Sequence, residues 1–458
     1  MISTPVCDFV RDYAASDPIR LHMPGHKGTG PLGCETLDIT EIRGADDLYH
    51  PEGILARSEE NASRLFGCRT VYSAEGSSLA IRAMLYLAYT RSGCKGRCLA
   101  GRNAHKSFLH TAVLLDFPIS WLWAGDSYLS CPVTAETVET AILEEKEKPF
   151  AVYLTSPDYL GNLAPVGEIA KVCHRHGVPL LVDNAHGAYL KFLPRSLHPM
   201  GLGADLCSDS AHKTLPVLTG GAYLHMTSDY TAEEAKAAMA LFGSTSPSWL
   251  ILQSLDGANP LLERMPGDIA ALAPHIAALK GALLAHGFAL VGAEPLKITV
   301  HAAKFGYSGE EMAEILERQG IFCEFADGDF LVFMLTPRNT PEELDRLRAA
   351  LCALPRGARQ EAPPVAFAHP KAVCTPRQAA FAPRETVPVS ESLGRVLALA
   401  NVSCPPAVPI VMCGEEIDEA AQEALRRCGI EEVTVIKASP SGVAAMQQKV
   451  EQARRSRT

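Results

Sequence analysis

Between Phe150 and Asp183 the chain changes its apolar period twice, and no other stretch restricts the fold as much. Phe150-Ala151-Val152-Tyr153-Leu154-Thr155 is short, β-branched and aromatic, and reads as a strand. Val166 to His176 carries helical spacing, with Gly177 placed to end it. Val178-Pro179-Leu180-Leu181-Val182 is apolar without alternation, as in a strand buried on both faces of a parallel sheet. Strand, helix and strand within about thirty residues make a right-handed βαβ unit. The fold class is therefore α/β with a mostly parallel sheet. Asp183 ends the buried strand, where open α/β sheets gather their ligand groups.

The rest of the chain divides around this unit. Residues 1–54, rich in Gly, Pro and His towards their end, read as an irregular arm with one short helix. Residues 55–259 read as the large α/β domain, with helices at Leu55 to Phe66 and Ser78 to Thr90 and a brief strand at Cys98-Leu99-Ala100. Residues 260–354 read as a bridging helix, Pro260 to His286, and a small α+β domain. That domain has strands at Leu296 to Val300 and Phe330 to Met334 and helices at Ser308 to Gln319 and Pro341 to Leu354. Ser308 and Glu311 fit a capping box. Residues 355–385, dense in Pro, Ala and Arg, read as a linker. Residues 386–458 read as a small module with a strand at Val408 to Met412, a helix at Glu419 to Arg427 and a frayed end.

Composition excludes some functions. The net charge of −10 argues against a nucleic-acid binder, which needs a basic surface. No apolar run approaches the roughly 18–20 residues that span a bilayer, so no membrane partner is expected. The 14 cysteines follow no secretory signal and read as small buried hydrophobes in a cytoplasmic chain. Cys94 and Cys98 have no second pair at zinc spacing, and no metal is expected.

Four segments carry candidate chemistry. Lys213, in Ser210-Ala211-His212-Lys213-Thr214, is an amine that could form a Schiff base. Asp183, in Asp183-Asn184-Ala185-His186, can pair with a pyridinium nitrogen, and Ala185 is small enough to let a flat ring lie close. Taken alone, the same aspartate reads equally well as a helix cap. Gly76-Ser77-Ser78 opens a helix and offers N–H groups, hydroxyls and the positive dipole end to a phosphate. His105, in Arg102-Asn103-Ala104-His105-Lys106-Ser107, could stack on an aromatic ring, although a lone loop histidine is more often solvated. In chain order these are phosphate cradle, stacking residue, aspartate and lysine, the order of fold-type I pyridoxal-phosphate enzymes.

At these residues the chain resembles the bacterial ornithine/lysine/arginine decarboxylase family, in its short form without an amino-terminal wing domain. Further likeness lies in His22-Met23-Pro24-Gly25-His26-Lys27-Gly28, Arg43-Gly44-Ala45-Asp46-Asp47-Leu48, Pro51-Glu52-Gly53 and Ser244-Thr245-Ser246-Pro247-Ser248. It continues in Pro405-Pro406-Ala407-Val408-Pro409 and Gly414-Glu415-Glu416-Ile417. The resemblance implies a fold-type I large domain, pyridoxal 5'-phosphate as cofactor, and decarboxylation of arginine, lysine or ornithine in a homodimer or higher homo-oligomer. It implies Lys213, Asp183 and His105 as catalytic residues. Gly76, Ser77, Ser78, His105, Asp183, Ala185, His186, Ser210, His212 and Lys213 would hold the cofactor. The chain departs from the family at Glu75, Asn184 and Gly220, and an acidic Glu75 beside the cradle should weaken phosphate binding unless it points away. Aminotransfer, a lyase reaction and a non-catalytic regulatory role remain alternatives.

Overall fold

A computed structural model describes residues 2–123, 125, 127–359, 369–399 and 408–437. Pro405-Pro406-Ala407, residues 360–368 of the expected linker and the expected frayed end lie outside the described residues.

Seven strands form the main sheet: β1 Arg69–Ser73, β2 Cys98–Gly101, β3 Ile119–Leu122, β4 Ala151–Thr155, β5 Leu180–Asp183, β6 Leu206–Asp209 and β7 Ala222–Met226. Their order is β1-β7-β6-β5-β4-β2-β3, and β7 alone runs antiparallel to its neighbours. The expected βαβ unit is present, with helix Val166–Arg175 joining the adjacent parallel strands β4 and β5. Gly177 follows that helix at φ +64°, a backbone state open to glycine without a Cβ clash. Leu180, Leu181 and Val182 are fully buried, so the unbroken apolar run reflects cover on both faces of the sheet. One face packs into a core that includes helix Gly76–Arg91, and the other onto helices Ala135–Glu144 and Val166–Arg175.

The second sheet has the order β10-β11-β9-β8, all antiparallel: β8 Leu290–Val291, β9 Lys297–His301, β10 Phe325–Ala326 and β11 Phe330–Met334. Its Ile298, Val300 and Leu331 share one continuous apolar core with the large sheet. Ser308 and Glu311 form the expected capping box on helix Gly309–Glu317.

Three local expectations are corrected. The bridging helix begins at Trp249, capped by Ser248, and runs 38 residues to His286 through Pro260, Pro266 and Pro274. Proline suits a first turn, yet Pro260 lies inside this helix. A buried stripe including Leu252, Leu255, Leu262, Met265 and Ile269 carries the helix past it. It is the one described helix long and apolar enough, by length and composition, to cross a bilayer. Here that stripe is covered by the chain's own core. Residues 376–381, inside the expected linker, form helix Pro376–Phe381 with a Thr375/Gln378 capping box. Val408 to Met412 is no strand. Arg102 draws the carbonyls of Pro409 and Ile410 at 3.3 and 3.4 Å, and Met412 N–H donates to Glu415 at 2.7 Å, so these groups make no ladder. The carboxy-terminal strands are β12 Arg384–Pro388 and β13 Glu432–Ile436, an antiparallel pair beside helix Glu419–Arg427.

Candidate active site

The carboxyl ends of β1, β2, β5 and β6 share one edge of the large sheet, and every candidate segment leaves from it. Helix Gly76–Arg91 starts three residues after β1, with Gly76 at φ +69°. Gly76 N–H donates to the Gly220 carbonyl at 2.7 Å, tying the turn to the loop before β7. A Cβ on Gly76 would meet nothing within 4 Å, so the cradle faces open space. Ser210 Oγ donates to Ser77 Oγ at 2.7 Å, and Ser107 Oγ donates to Ser78 Oγ at 2.8 Å. Three separate segments thus gather hydroxyls at one helix N-terminus, where N–H groups and the dipole favour an anion. Glu75 reaches away from this cluster and accepts the Ser244 N–H at 2.5 Å.

Asp183 is 1% exposed. Its Oδ2 accepts the Tyr153 hydroxyl at 3.1 Å and its Oδ1 the Ala185 N–H at 3.2 Å. Tyr153 reaches it because Thr155 pairs with Asp183 across β4 and β5, and residues two apart share a face. Burial raises the Asp183 carboxyl from 3.8 to about 6, against the pull of Lys213 and the Tyr153 hydroxyl.

Lys213 lies in the one-turn helix Ala211–Thr214 after β6, with its Nζ 3.0 Å from His186 Nε2. Burial, then the charges of Lys213 and Lys297, hold His186 well below the usual histidine range. His105 caps helix Lys106–Leu115, its Nδ1 accepting the Ser107 N–H at 3.2 Å. The residue is exposed, yet desolvation by its surroundings, followed by the charge of Lys213, brings its pKa down to about 4. His105 is therefore neutral near pH 7.

The structure brings Asp183, His186 and His105 each within electrostatic reach of Lys213 and sets Gly76, Ser77, Ser78 and Ser210 together at the helix start. Ala185 contributes its backbone N–H to Asp183. His212 turns its Nδ1 to the Gly221 carbonyl at 3.0 Å and anchors the loop. Three participants escaped the sequence reading: Tyr153 under Asp183, Ser107 on the cradle, and Lys297, which joins His186 from β9 at 3.2 Å. Tyr153 was legible in principle, as the same-face neighbour of the strand end. Lys297 was not, because its partner is 111 residues away in sequence.

Arg102, fully buried just ahead of the His105 loop, makes a two-pronged ion pair with Glu415 at 2.6 and 2.7 Å. Trp121 and Trp123 lie beside its guanidinium, so the carboxy-terminal module braces the base of that loop.

Residues 4–272 match the family model described as Orn/Lys/Arg decarboxylase, major domain. The chain is 30% identical to the uncharacterised Bacillus subtilis protein YaaO, over 93% of this chain and 94% of that protein. It is 30% identical to an arginine decarboxylase of Halalkalibacterium halodurans, over 91% of each. Among solved structures, the Francisella novicida lysine decarboxylase LdcF superposes with a TM-score of 0.81 at 18% identity, over 95% of this chain and 81% of that one.

Proposed function

The chain belongs to the Orn/Lys/Arg decarboxylase family, a family of amino-acid decarboxylases with the fold-type I architecture, and on that premise we propose that it removes carbon dioxide from a basic amino acid with pyridoxal 5'-phosphate as cofactor. Arginine is the favoured substrate, because relatives named arginine decarboxylase match over nine-tenths of both chains. A cytoplasmic homodimer is the expected working form.

The observation that carries the reading is the state of Asp183. Among the described residues the hydrogen-bond donors to this buried carboxyl are one hydroxyl and one backbone N–H, burial raises it despite the charge of Lys213, and the N–H⁺ of a pyridinium ring would suit it as a further partner. The other groups fit the same ligand. The open cradle at Gly76, with the Ser77, Ser78 and Ser210 hydroxyls, suits the phosphate, and Lys213 Nζ suits the aldehyde.

When bound, the cofactor supplies an electron sink for the pair released as carbon dioxide leaves. The chain's own residues do the rest. Asp183 would keep a proton on the ring nitrogen. His105, neutral at working pH, would lie against the ring without a competing charge. The helix start at Gly76 would hold the phosphate and fix the ring's position, so that orientation selects the bond that breaks. Lys213, with His186 beside it, is placed to hand a proton to the substrate carbon.

The test is to incubate the cofactor-loaded protein separately with arginine, lysine and ornithine and identify products by mass spectrometry. Release of carbon dioxide with the amine of arginine is expected, and Lys213→Ala should abolish it. Keto-acid formation, or an amine made equally well by Lys213→Ala, would overturn the reading.

A further inference from the structure

His105 is exposed, and among the described residues its ring hydrogen-bonds only to Ser107, two residues along its own turn. Where the imidazole stands is therefore set by what holds that turn and the helix Lys106–Leu115 behind it. Residues of the carboxy-terminal part grip both ends of this stretch. At its start, Arg102 Nε donates to the Pro409 carbonyl at 3.3 Å and Nη2 to the Ile410 carbonyl at 3.4 Å. Both Nη atoms meet Glu415, at 2.6 and 2.7 Å, and the Met412 N–H holds Glu415 in turn at 2.7 Å. At the far end, Arg377 Nη1 donates to the Val113 and Leu114 carbonyls at 3.1 and 3.0 Å, and the Thr375 hydroxyl to Asp116 at 3.2 Å. A cation suits the free carbonyls of a helix end. The helix has ten residues and is about 15 Å long, so ties at both ends fix its tilt and its axial position together.

A buried ion pair is a weak source of stability, since well-packed apolar side chains of similar volume often hold as well. What the pair adds is direction. A guanidinium fork and a carboxylate meet in one bidentate geometry, and Trp121 and Trp123 flank the guanidinium at 5.1 and 4.4 Å. The link from there to His105 is short, because the Ala104 N–H closes a turn on the Gly101 carbonyl at 3.1 Å. Beyond His105, Ser107 is anchored separately on Ser78 at 2.8 Å. His105 thus stands between two anchors, one on the cradle and one on Glu415.

We propose that Glu415 is a positioning residue that, by fixing Arg102, holds the His105 ring where it meets a planar ligand. The inference rests on the reading of His105 as the group that lies against the cofactor ring. Glu415 acts through Arg102 and not by contact with the ligand.

The test titrates the full-length, cofactor-free protein with pyridoxal 5'-phosphate and takes the apparent affinity from the imine absorbance, in wild type and in His105→Ala. Glu415→Gln keeps the side chain's shape and removes its charge. It should weaken the wild-type affinity roughly tenfold, the scale of coupling within one network. Added to His105→Ala it should change affinity by less than about twofold, because a residue acting through the ring has no effect once the ring is gone. Glu415→Gln strands the buried Arg102 cation. Arg102→Met/Glu415→Gln, which removes both charges, is therefore measured beside it and should give the same pattern. An equal loss with and without the His105 ring marks a brace of the fold and overturns the inference alone, as does wild-type affinity in the double variant. Wild-type affinity in His105→Ala overturns the reading of His105, and this inference with it. A wild-type protein that develops no imine absorbance overturns the cofactor reading itself.

Discussion

Two aspartates end neighbouring strands, both are at most 1% exposed, and burial has opposite outcomes for them. Asp183, at the end of β5, has a tyrosine hydroxyl and one N–H, and its carboxyl rises to about 6. Asp209, at the end of β6, is met by His198 at 3.0 Å, His225 at 3.1 Å and the Asn184 amide at 2.7 Å. Burial alone would raise it as well, but the two imidazoles outweigh that and hold it below the carboxylate range. The same strand-end position thus yields a lowered carboxyl in one case and a raised one in the other. The difference lies in the partners that other segments deliver. Asn184 links the two, since it directly follows one aspartate and bonds the other.

The sharpest way to break this contrast is Asp183→Asn, which keeps the shape and removes the charge. It should lower kcat roughly 10³-fold, the scale on which lost preorganised electrostatics is felt. The opposite sign is expected for stability of the cofactor-free protein. A carboxyl raised from 3.8 to about 6 favours its protonated form in the fold, so the stability it contributes is complete below pH 4 and disappears as pH rises through 6. The shift corresponds to roughly 3 kcal/mol, and urea unfolding at pH 4 and pH 8 should show Asp183→Asn free of that decline. If kcat falls by less than tenfold, Asp183 does not act on the cofactor.

Asp209→Ala should behave in the other manner, by destabilising the fold by about 3 kcal/mol at neutral pH because it orphans two buried imidazoles and an amide. Its carboxyl is lowered, so its contribution is present above the ordinary carboxylate range and is lost only as pH falls below it. Equilibrium unfolding against pH separates the two acids by the sign of their slopes, and a shared sign would remove the distinction drawn here.

The smallest effect sharpens the comparison without breaking it. Tyr153→Phe removes one of the two donors to Asp183 and should destabilise the cofactor-free protein by about 1 kcal/mol at pH 8. At pH 4, where the carboxyl is protonated, the cost should be smaller. An equal loss at both pH values would mean that the hydroxyl serves packing and not the carboxylate.

Much of the candidate site was legible because its determinants are local. A strand ending in an acid, a glycine and two hydroxyls opening a helix, and a lysine in a tight turn each announce themselves within a few residues. The unbroken apolar run Leu180 to Val182 likewise fixed a doubly covered strand, hence a parallel sheet. What escaped was set by distant neighbours. Val408 to Met412 has a strand's composition, but Arg102 and Glu415 occupy its polar groups. Pro260 looks like a helix start, but packing carries the helix through it.

The sequence by itself determined which chemical groups the chain possesses and the order in which the sheet edge would present them, because backbone periodicity acts over a few residues. Only the tertiary structure decided which buried acid has its carboxyl raised and which has it lowered. Those outcomes depend on desolvation and on hydrogen-bond partners brought from far along the chain, and neither is written in the neighbourhood of the residue it governs.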